Sequence, residues 1–374
     1  MDFNLTDEQQ MLRDSARRFV RELYGLEQRR ALSKTESGFS LQHWHSIADL
    51  GWLALSLPED VGGLACSFVE VAILLEEFGR GLVLEPYISS AVLCAHILEA
   101  SDNAHARADT LRAVAEGRRR LALAHRESAQ RYDLAPVTAQ AAKRGEGFVL
   151  DGIKTVVLDA PAADQLIVSA RVEGEDGFSL FLLDSATEGV QLQPYPLIDD
   201  SRAADIEFTN VRLPRSALLA GPAKSQRVLE EALDRATLAC VAEALGAMEC
   251  VLQLTSEYLK TRVQFGQPIG KLQALQHRMA EMFVEVQEVR SILYCGLAHL
   301  NAEASVRSAI ISAAKLVTLE AGRIVGGQGI QLHGGIGVTQ EYAVGHYFKK
   351  LLAFEKTYGD GDWHLDRFAR HVAR

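Results

Sequence analysis

The chain has 374 residues, 48% hydrophobic and 24% charged, a composition that fits an ordinary globular protein with room for a large core and two or three domains. With 39 Lys and Arg against 49 Asp and Glu the net charge is −10, which excludes a polyanion such as nucleic acid as the expected partner; any phosphate-bearing ligand must be held by local basic groups. The five scattered cysteines (Cys66, Cys94, Cys240, Cys250, Cys295) show no C-x-x-C pair or zinc spacing and fit buried thiols in a reducing compartment. No leader pattern and no run approaching the ~20 apolar residues of a membrane span is read, so the expectation is a cytoplasmic protein without a membrane partner.

Thr6-Asp7-Glu8-Gln9 has the form of a capping box and opens a helix carrying Met11, Leu12, Phe19, Val20 and Leu23 at helical spacing. Helical patterns follow at 41–51, 69–78, 90–100 and 107–115, interrupted by Pro58-Glu59-Asp60-Val61-Gly62-Gly63 and by Pro86, so residues 1–118 are predicted to be a helical domain. From 119 to 218 the pattern changes to short runs at 121–124, 148–150, 155–158, 166–169, 179–183 and 206–208. Hairpin loops fall at Gly145-Glu146-Gly147 and Glu173–Gly177, which predicts a small antiparallel β domain. From 219 to 374 long helical stretches return at 229–262, 272–300 and 305–326, predicting a four- or five-helix bundle. The fold class expected is mainly α with a central β domain.

Two segments carry the chemistry that can be read. Arg262-Val263-Gln264-Phe265-Gly266-Gln267-Pro268-Ile269-Gly270 joins two long helices. It reads as a helix connection in which Arg262 complements a helix dipole, or as a guanidinium placed for a pyrophosphate with Phe265 offering a ring to an adenosine. Gln328-Gly329-Ile330-Gln331-Leu332-His333-Gly334-Gly335-Ile336-Gly337 is read as following a helix, either as a glycine cap or as backbone that lets a ligand approach closely. It is not a Rossmann fingerprint, since no strand precedes it. His333 is expected to be structural rather than catalytic, and His43 and His45 point to different helix faces, which argues against a metal site.

Taken together, the chain resembles the acyl-CoA dehydrogenase family along essentially its whole length. The likeness rests on Leu5-Thr6-Asp7-Glu8-Gln9, Leu57-Pro58-Glu59-Asp60-Val61-Gly62-Gly63, the R-x-Q-F-G-x-P-I-G run from Arg262, and Gln331-Leu332-His333-Gly334-Gly335-Ile336-Gly337, in the family's order and approximate spacing. The resemblance implies FAD, α,β-dehydrogenation of an acyl-CoA thioester, and electrons passed to an electron-transferring flavoprotein. In that chemistry a carboxylate takes the α-proton while the flavin accepts the β-hydrogen as hydride. It further implies that Arg262, Phe265, Gln273, Gln331 and Gly335 hold the FAD adenosine and pyrophosphate across a subunit boundary, which requires an oligomer.

The chain departs from the family pattern where the reaction should occur. Tyr358 stands at the usual base position and Ala236 at the alternative one; the carboxylates that could substitute are Glu243, Asp234 and Asp360. Glu243 lies two turns beyond Ala236 on roughly the same helix face, whereas Asp234 is turned about 200° away. The segments expected to wrap the flavin ring read Ala124-His125-Arg126-Glu127-Ser128 and Val156-Val157-Leu158, without the family's indole and hydroxyl. Three functions remain open at this level: the small subunit of a heteromer whose paralogous large subunit supplies base and ring contacts, a complete homo-oligomer with a relocated base, and a flavin-free interaction protein.

Overall fold

Thr6 caps the first helix as its spacing requires. Its hydroxyl accepts from Gln9 N at 3.2 Å, and the Gln9 side chain accepts from Thr6 N at 3.1 Å, so two amides that have no partner inside the helix are satisfied. The computed structural model describes residues 4–372. In chain order the helices before the sheet are α1 (Asp7–Leu23), α2 (Leu26–Ser33), α3 (Leu41–Asp49), α4 (Phe68–Gly81), α5 (Ala95–Glu99) and α6 (Ala104–Ala115), with a π-helical stretch Ile88–Cys94 leading into α5. The strands are β1 (Leu121–Ala124), β2 (Gln140–Arg144), β3 (Gly147–Leu158), β4 (Gln165–Val172), β5 (Ser179–Asp184), β6 (Val190–Pro196), β7 (Arg202–Pro214) and β8 (Leu218–Ala220). Then come α7 (Pro222–Thr261), the short strands β9 (Val263–Gln264) and β10 (Gln267–Pro268), α8 (Gln273–His299), α9 (Ala304–His333), α10 (Val344–Lys356) and α11 (Gly361–Val372).

The chain divides into two compact units, with α7 contributing to both. One comprises the chain up to Ala31, Phe68–Val83 and the chain from Thr237; the other comprises Leu32–Ser67 and Leu84–Ala236. The second unit holds the sheet, in the order β6-β7-β3-β2-β4-β5-β8 with β1 beside β4. Its core is apolar and closed: Leu150, Leu166, Ile167, Val168, Leu180 and Phe181 are fully buried, and Phe148 meets Phe181 edge to face at 5.0 Å.

In the first unit α4 crosses α7 at backbone contact. A Cβ at Gly246 would sit 1.8 Å from the Glu76 carbonyl oxygen, and one at Gly79 would sit 1.9 Å from that of Glu243. Around this crossing Glu76 and Glu249 take both Arg80 and Arg290, with Arg290 to Glu76 at 3.2 Å, while Arg17 of α1 reaches Glu77 at 2.8 Å. The carboxylates of Glu76 and Glu77 are nearly sealed from water, so each depends on its guanidinium partners.

Several sequence expectations are corrected here. The β domain is not purely antiparallel, because β4 pairs in parallel with both β1 and β2. The runs at 148–150 and 155–158 belong to one strand, β3, interrupted against β7 by register shifts. A membrane-length apolar stretch does exist: α7 contains an 18-residue window of mean hydropathy 1.5, but 72% of that window is buried, which marks it as a core helix. Finally, Gln328–His333 does not follow a helix but forms the last turns of α9. Gly329 is there for packing, since a Cβ on it would lie 2.5 Å from Val251.

The α4–α7 contact leaves no room for a methyl group. Gly246→Ala is expected to destabilise the protein by about 3 kcal/mol, read as a lower midpoint in urea unfolding.

Candidate functional site

The turn between α7 and α8 is a two-residue β-hairpin. Gln264 pairs with Gln267 and Val263 with Pro268, and the turn residues Phe265 and Gly266 have φ of +53° and +77°. Glycine is at ease there, but a phenylalanine in left-handed backbone costs on the order of 1–3 kcal/mol and persists only where something maintains it. The Phe265 ring is 89% exposed, so packing within this chain does not account for it.

At the same end of the bundle, the last turns of α7 and α9 are joined by an aromatic cluster. His333 lies 4.6 Å from Tyr258 and 4.8 Å from Tyr342 between ring centroids, and its Nδ1 donates to Gly329 O at 2.7 Å. Burial lowers its pKa, so His333 is a neutral structural ring. Arg262 follows α7 directly, Gln273 begins α8, and Gln331 and Gly335 flank His333. All five anchor residues, Phe265 included, are exposed. A side chain added at Gly266, Gly334 or Gly335 would meet nothing within 4 Å, so the backbone at these three glycines is unobstructed. A guanidinium and an aromatic ring suit a pyrophosphate and an adenosine.

Models of the acyl-CoA dehydrogenase N-terminal, middle and C-terminal domains match residues 6–118, 122–211 and 226–373. The chain belongs to the acyl-CoA dehydrogenase family. Among its relatives is acyl-CoA dehydrogenase FadE27 of Mycobacterium tuberculosis, 28% identical over 100% of this chain and 99% of that protein. Two similar solved structures are the ChsE4-ChsE5 complex of Mycobacterium tuberculosis, with 27% identity, a TM-score of 0.91 and coverage of 100% and 99%, and a single-residue variant of the Tcur3481-Tcur3483 steroid ACAD, with 29%, 0.88 and 98% of each chain. With the family come its fold, an oxidoreductase chemistry at the CH–CH bond of acyl-CoA, and FAD as cofactor.

At 236 and 358, the two positions where the resemblance puts the base, the chain carries Ala and Tyr. Ala236 is fully buried in α7, and Tyr358 sits at φ +55° in the turn between α10 and α11. That turn is nonetheless held firmly. The buried Lys315 ammonium donates to Phe354 O and, at 2.8 Å, to Thr357 O, and the fully buried His364 has Nε2 3.2 Å from Tyr358 O. Burial pushes Lys315 down to about 7 and His364 down to about 2, the latter helped by Lys315 and Arg367. The substitute carboxylates have structural surroundings. Glu243 pairs with Lys350 at 2.9 Å, Asp234 is buried in α7, and Asp360 accepts from Trp363 N at 3.1 Å, capping α11.

In the β domain, the segment expected beside a flavin ring is folded inward. Glu127 accepts from Lys154 Nζ at 2.6 Å, from Thr138 N at 2.7 Å and from Ala139 N at 3.1 Å. Lys154 Nζ also donates to Ser169 Oγ at 3.0 Å, so that hydroxyl's proton is free to point at His125 Nδ1, 2.8 Å away. Val156 lies at φ +52°, rare for a β-branched residue, beside a register shift in β3, with its N–H donating to Asp205 at 2.9 Å. The strained backbone is in place while the side chain is aliphatic. The residue types at 262, 265, 273, 331 and 335 thus suit the adenosine half of FAD, whereas Val156 and Leu158 carry neither an indole nor a hydroxyl.

Sequence reasoning had singled out Glu127 and Val156 but missed the buried lysines Lys154 and Lys315, since nothing in spacing distinguishes a buried lysine from a surface one. Burial pushes Lys154 down to about 8 against the pull of Glu127. Burial, with the neighbouring Lys154, pushes His125 down to about 3. Below the ordinary histidine value of 6.5 the unfolded chain takes up a proton that the folded His125 refuses. Stability must therefore fall as pH drops from 6.5 towards 3, by up to about 1.4 kcal/mol per pH unit for one such group. The urea midpoint is expected to decline across that window, and His125→Asn to decline less steeply.

Proposed function

We propose that this chain is the small subunit of a heteromeric acyl-CoA dehydrogenase, clamping the adenosine half of FAD while a paralogous large subunit supplies the base and the contacts to the flavin ring. What supports this reading is the exposure of Arg262, Phe265, Gln273, Gln331 and Gly335, the residues the resemblance assigns to the adenosine half, together with Ala at 236 and Tyr at 358, where the resemblance expects a base. The description of a similar structure as a ChsE4-ChsE5 complex supports assembly of two different chains.

When bound, the flavin accepts a hydride from the acyl β-carbon. This chain's own part is to fix the cofactor's anionic middle with the Arg262 guanidinium and to offer the Phe265 ring to the adenosine, so the substrate meets a cofactor already positioned. Glu243, tied to Lys350, holds two helices rather than taking a proton, and Asp360 caps α11. The substrate is an acyl-CoA thioester, and an electron-transferring flavoprotein would be the electron acceptor. For the acyl tail, Arg131-Tyr132-Asp133-Leu134, Leu166–Arg171 and Val344–Lys349 resemble the small subunit of bacterial pimeloyl-CoA dehydrogenase, whereas one similar structure is described as a steroid enzyme. A dicarboxylic and a steroid acyl-CoA are therefore the two substrates to compare.

Expressed alone, the chain should be colourless and inactive; co-expressed with a paralogous large chain it should be yellow and should reduce an electron-transferring flavoprotein. Turnover by the isolated chain would sink the heteromer. In the assembled enzyme Arg262→Ala should raise the FAD dissociation constant at least about tenfold, as expected for losing a charge-assisted contact, while Glu243→Gln should leave α-proton exchange intact.

A further inference from the structure

The outer face of the sheet carries a groove of about 1000 Å³ at the end of β3 remote from Val156. Strand register sets its lining. Ala142, Val149 and Arg212 lie abreast on β2, β3 and β7, and Arg144, Gly147 and Pro214 form the next row on the same face. Phe148, Leu150 and Leu213, which alternate with them, are buried in the core. The close approach of β7 requires glycine at 147, since a Cβ there would sit 2.3 Å from the Leu213 carbonyl oxygen. The floor between the Arg144 and Arg212 side chains is therefore low and apolar. A third guanidinium, Arg215, joins the lining from the 3-10 turn Arg215–Ala217 that follows β7. The guanidiniums of Arg212 and Arg215 have no partner among the described residues, and Arg144 donates only to the neighbouring Lys143 O at 3.0 Å. In a chain of net charge −10, three uncommitted cations in one groove are a set of donors for an anion. Two carboxylates also line it: Asp151, which accepts from Asn210 N at 2.7 Å, and Glu146 in the exposed hairpin turn.

We infer that this groove binds a free nucleotide, with its phosphates against Arg144, Arg212 and Arg215, its base over Ala142 and Val149, and an amino group of the base at Asp151. Guanidiniums fork onto phosphate oxygens, an apolar floor takes the face of a ring, and a carboxylate accepts from an amino N–H. Gly147 and Asp151 are about 13 Å apart at about 3.3 Å per residue, which separates the cationic end of the groove from the accepting end. A ligand with charge at one end only would leave Asp151 unused. None of these residues belongs to the Arg262 cradle, and the inference is independent of which chain supplies the catalytic carboxylate.

Full-length chain carrying Arg262→Ala, which disables the cradle, should still bind ADP one to one in titration calorimetry at low ionic strength, and added salt should weaken that binding. Arg212→Ala or Arg215→Ala in the same background should raise the dissociation constant at least about tenfold, and inorganic pyrophosphate should bind at least about tenfold more weakly than ADP. Arg212 and Arg215 are exposed, so both substitutions should leave the urea midpoint where it was, which separates lost binding from lost fold. The inference is overturned if the Arg262→Ala chain binds no ADP, if Arg212→Ala and Arg215→Ala leave the affinity unchanged, or if pyrophosphate binds as tightly as ADP. It is also overturned if coenzyme A binds more tightly than ADP through the same arginines, since the groove would then hold the head of a carrier and not a free nucleotide.

Discussion

The crossing of α4 and α7 depends on two missing methyl groups. With glycine at 79 and 246, the carbonyls of Glu243 and Glu76 occupy the space that side chains would fill, and the helices lie at backbone contact. That proximity lets Glu76 and Glu249 share Arg80 and Arg290, so three helices meet around one compact ionic cluster. Buried ion pairs add little net stability over apolar packing, but removing one partner is costly, which makes such a cluster a strict condition on register. With α7 fixed, the positions of the hairpin at its end and of Glu243 along its length follow.

A second kind of constraint runs through the interior: three buried cationic or potentially cationic groups hold segments that lack regular structure of their own. Lys154 and His125 organise the loop after β1, and Lys315 gathers the carbonyls at the end of α10. In each case the segment held is one where the resemblance leads one to expect a different side chain. Val156 and Tyr358 show this most clearly, both held at positive φ without the indole or the carboxylate.

Much of the fold was legible because periodicity and punctuation agree. The Thr6 cap, the long helices, β1, β4 and β5 were recognisable from apolar spacing and the turns that bound them. Other elements were hidden for physical reasons. Strand β2 is Gln-Ala-Ala-Lys-Arg, β6 carries Pro194 and Pro196 at the edge of the sheet, and β8 has three residues, so none presents an apolar run. Gly326 and Gly329 looked like the end of a helix because glycine usually ends one; here they admit α10 and Val251 against an unbroken α9. At the site, Arg262, Phe265 and the glycines were legible as types, but the left-handed backbone of Phe265 and its full exposure are tertiary facts.

The exposure of Phe265, Phe283, Val284 and Val338 has a thermodynamic corollary. If FAD covers the Phe265 ring, the free energy that secures the folded chain includes a term in the concentration of FAD. A melting temperature measured on the flavin-free chain is therefore a lower bound that rises as FAD is titrated in. Chain made faster than flavin is supplied carries that exposed apolar surface into solution, and its solubility becomes a matter of cofactor supply.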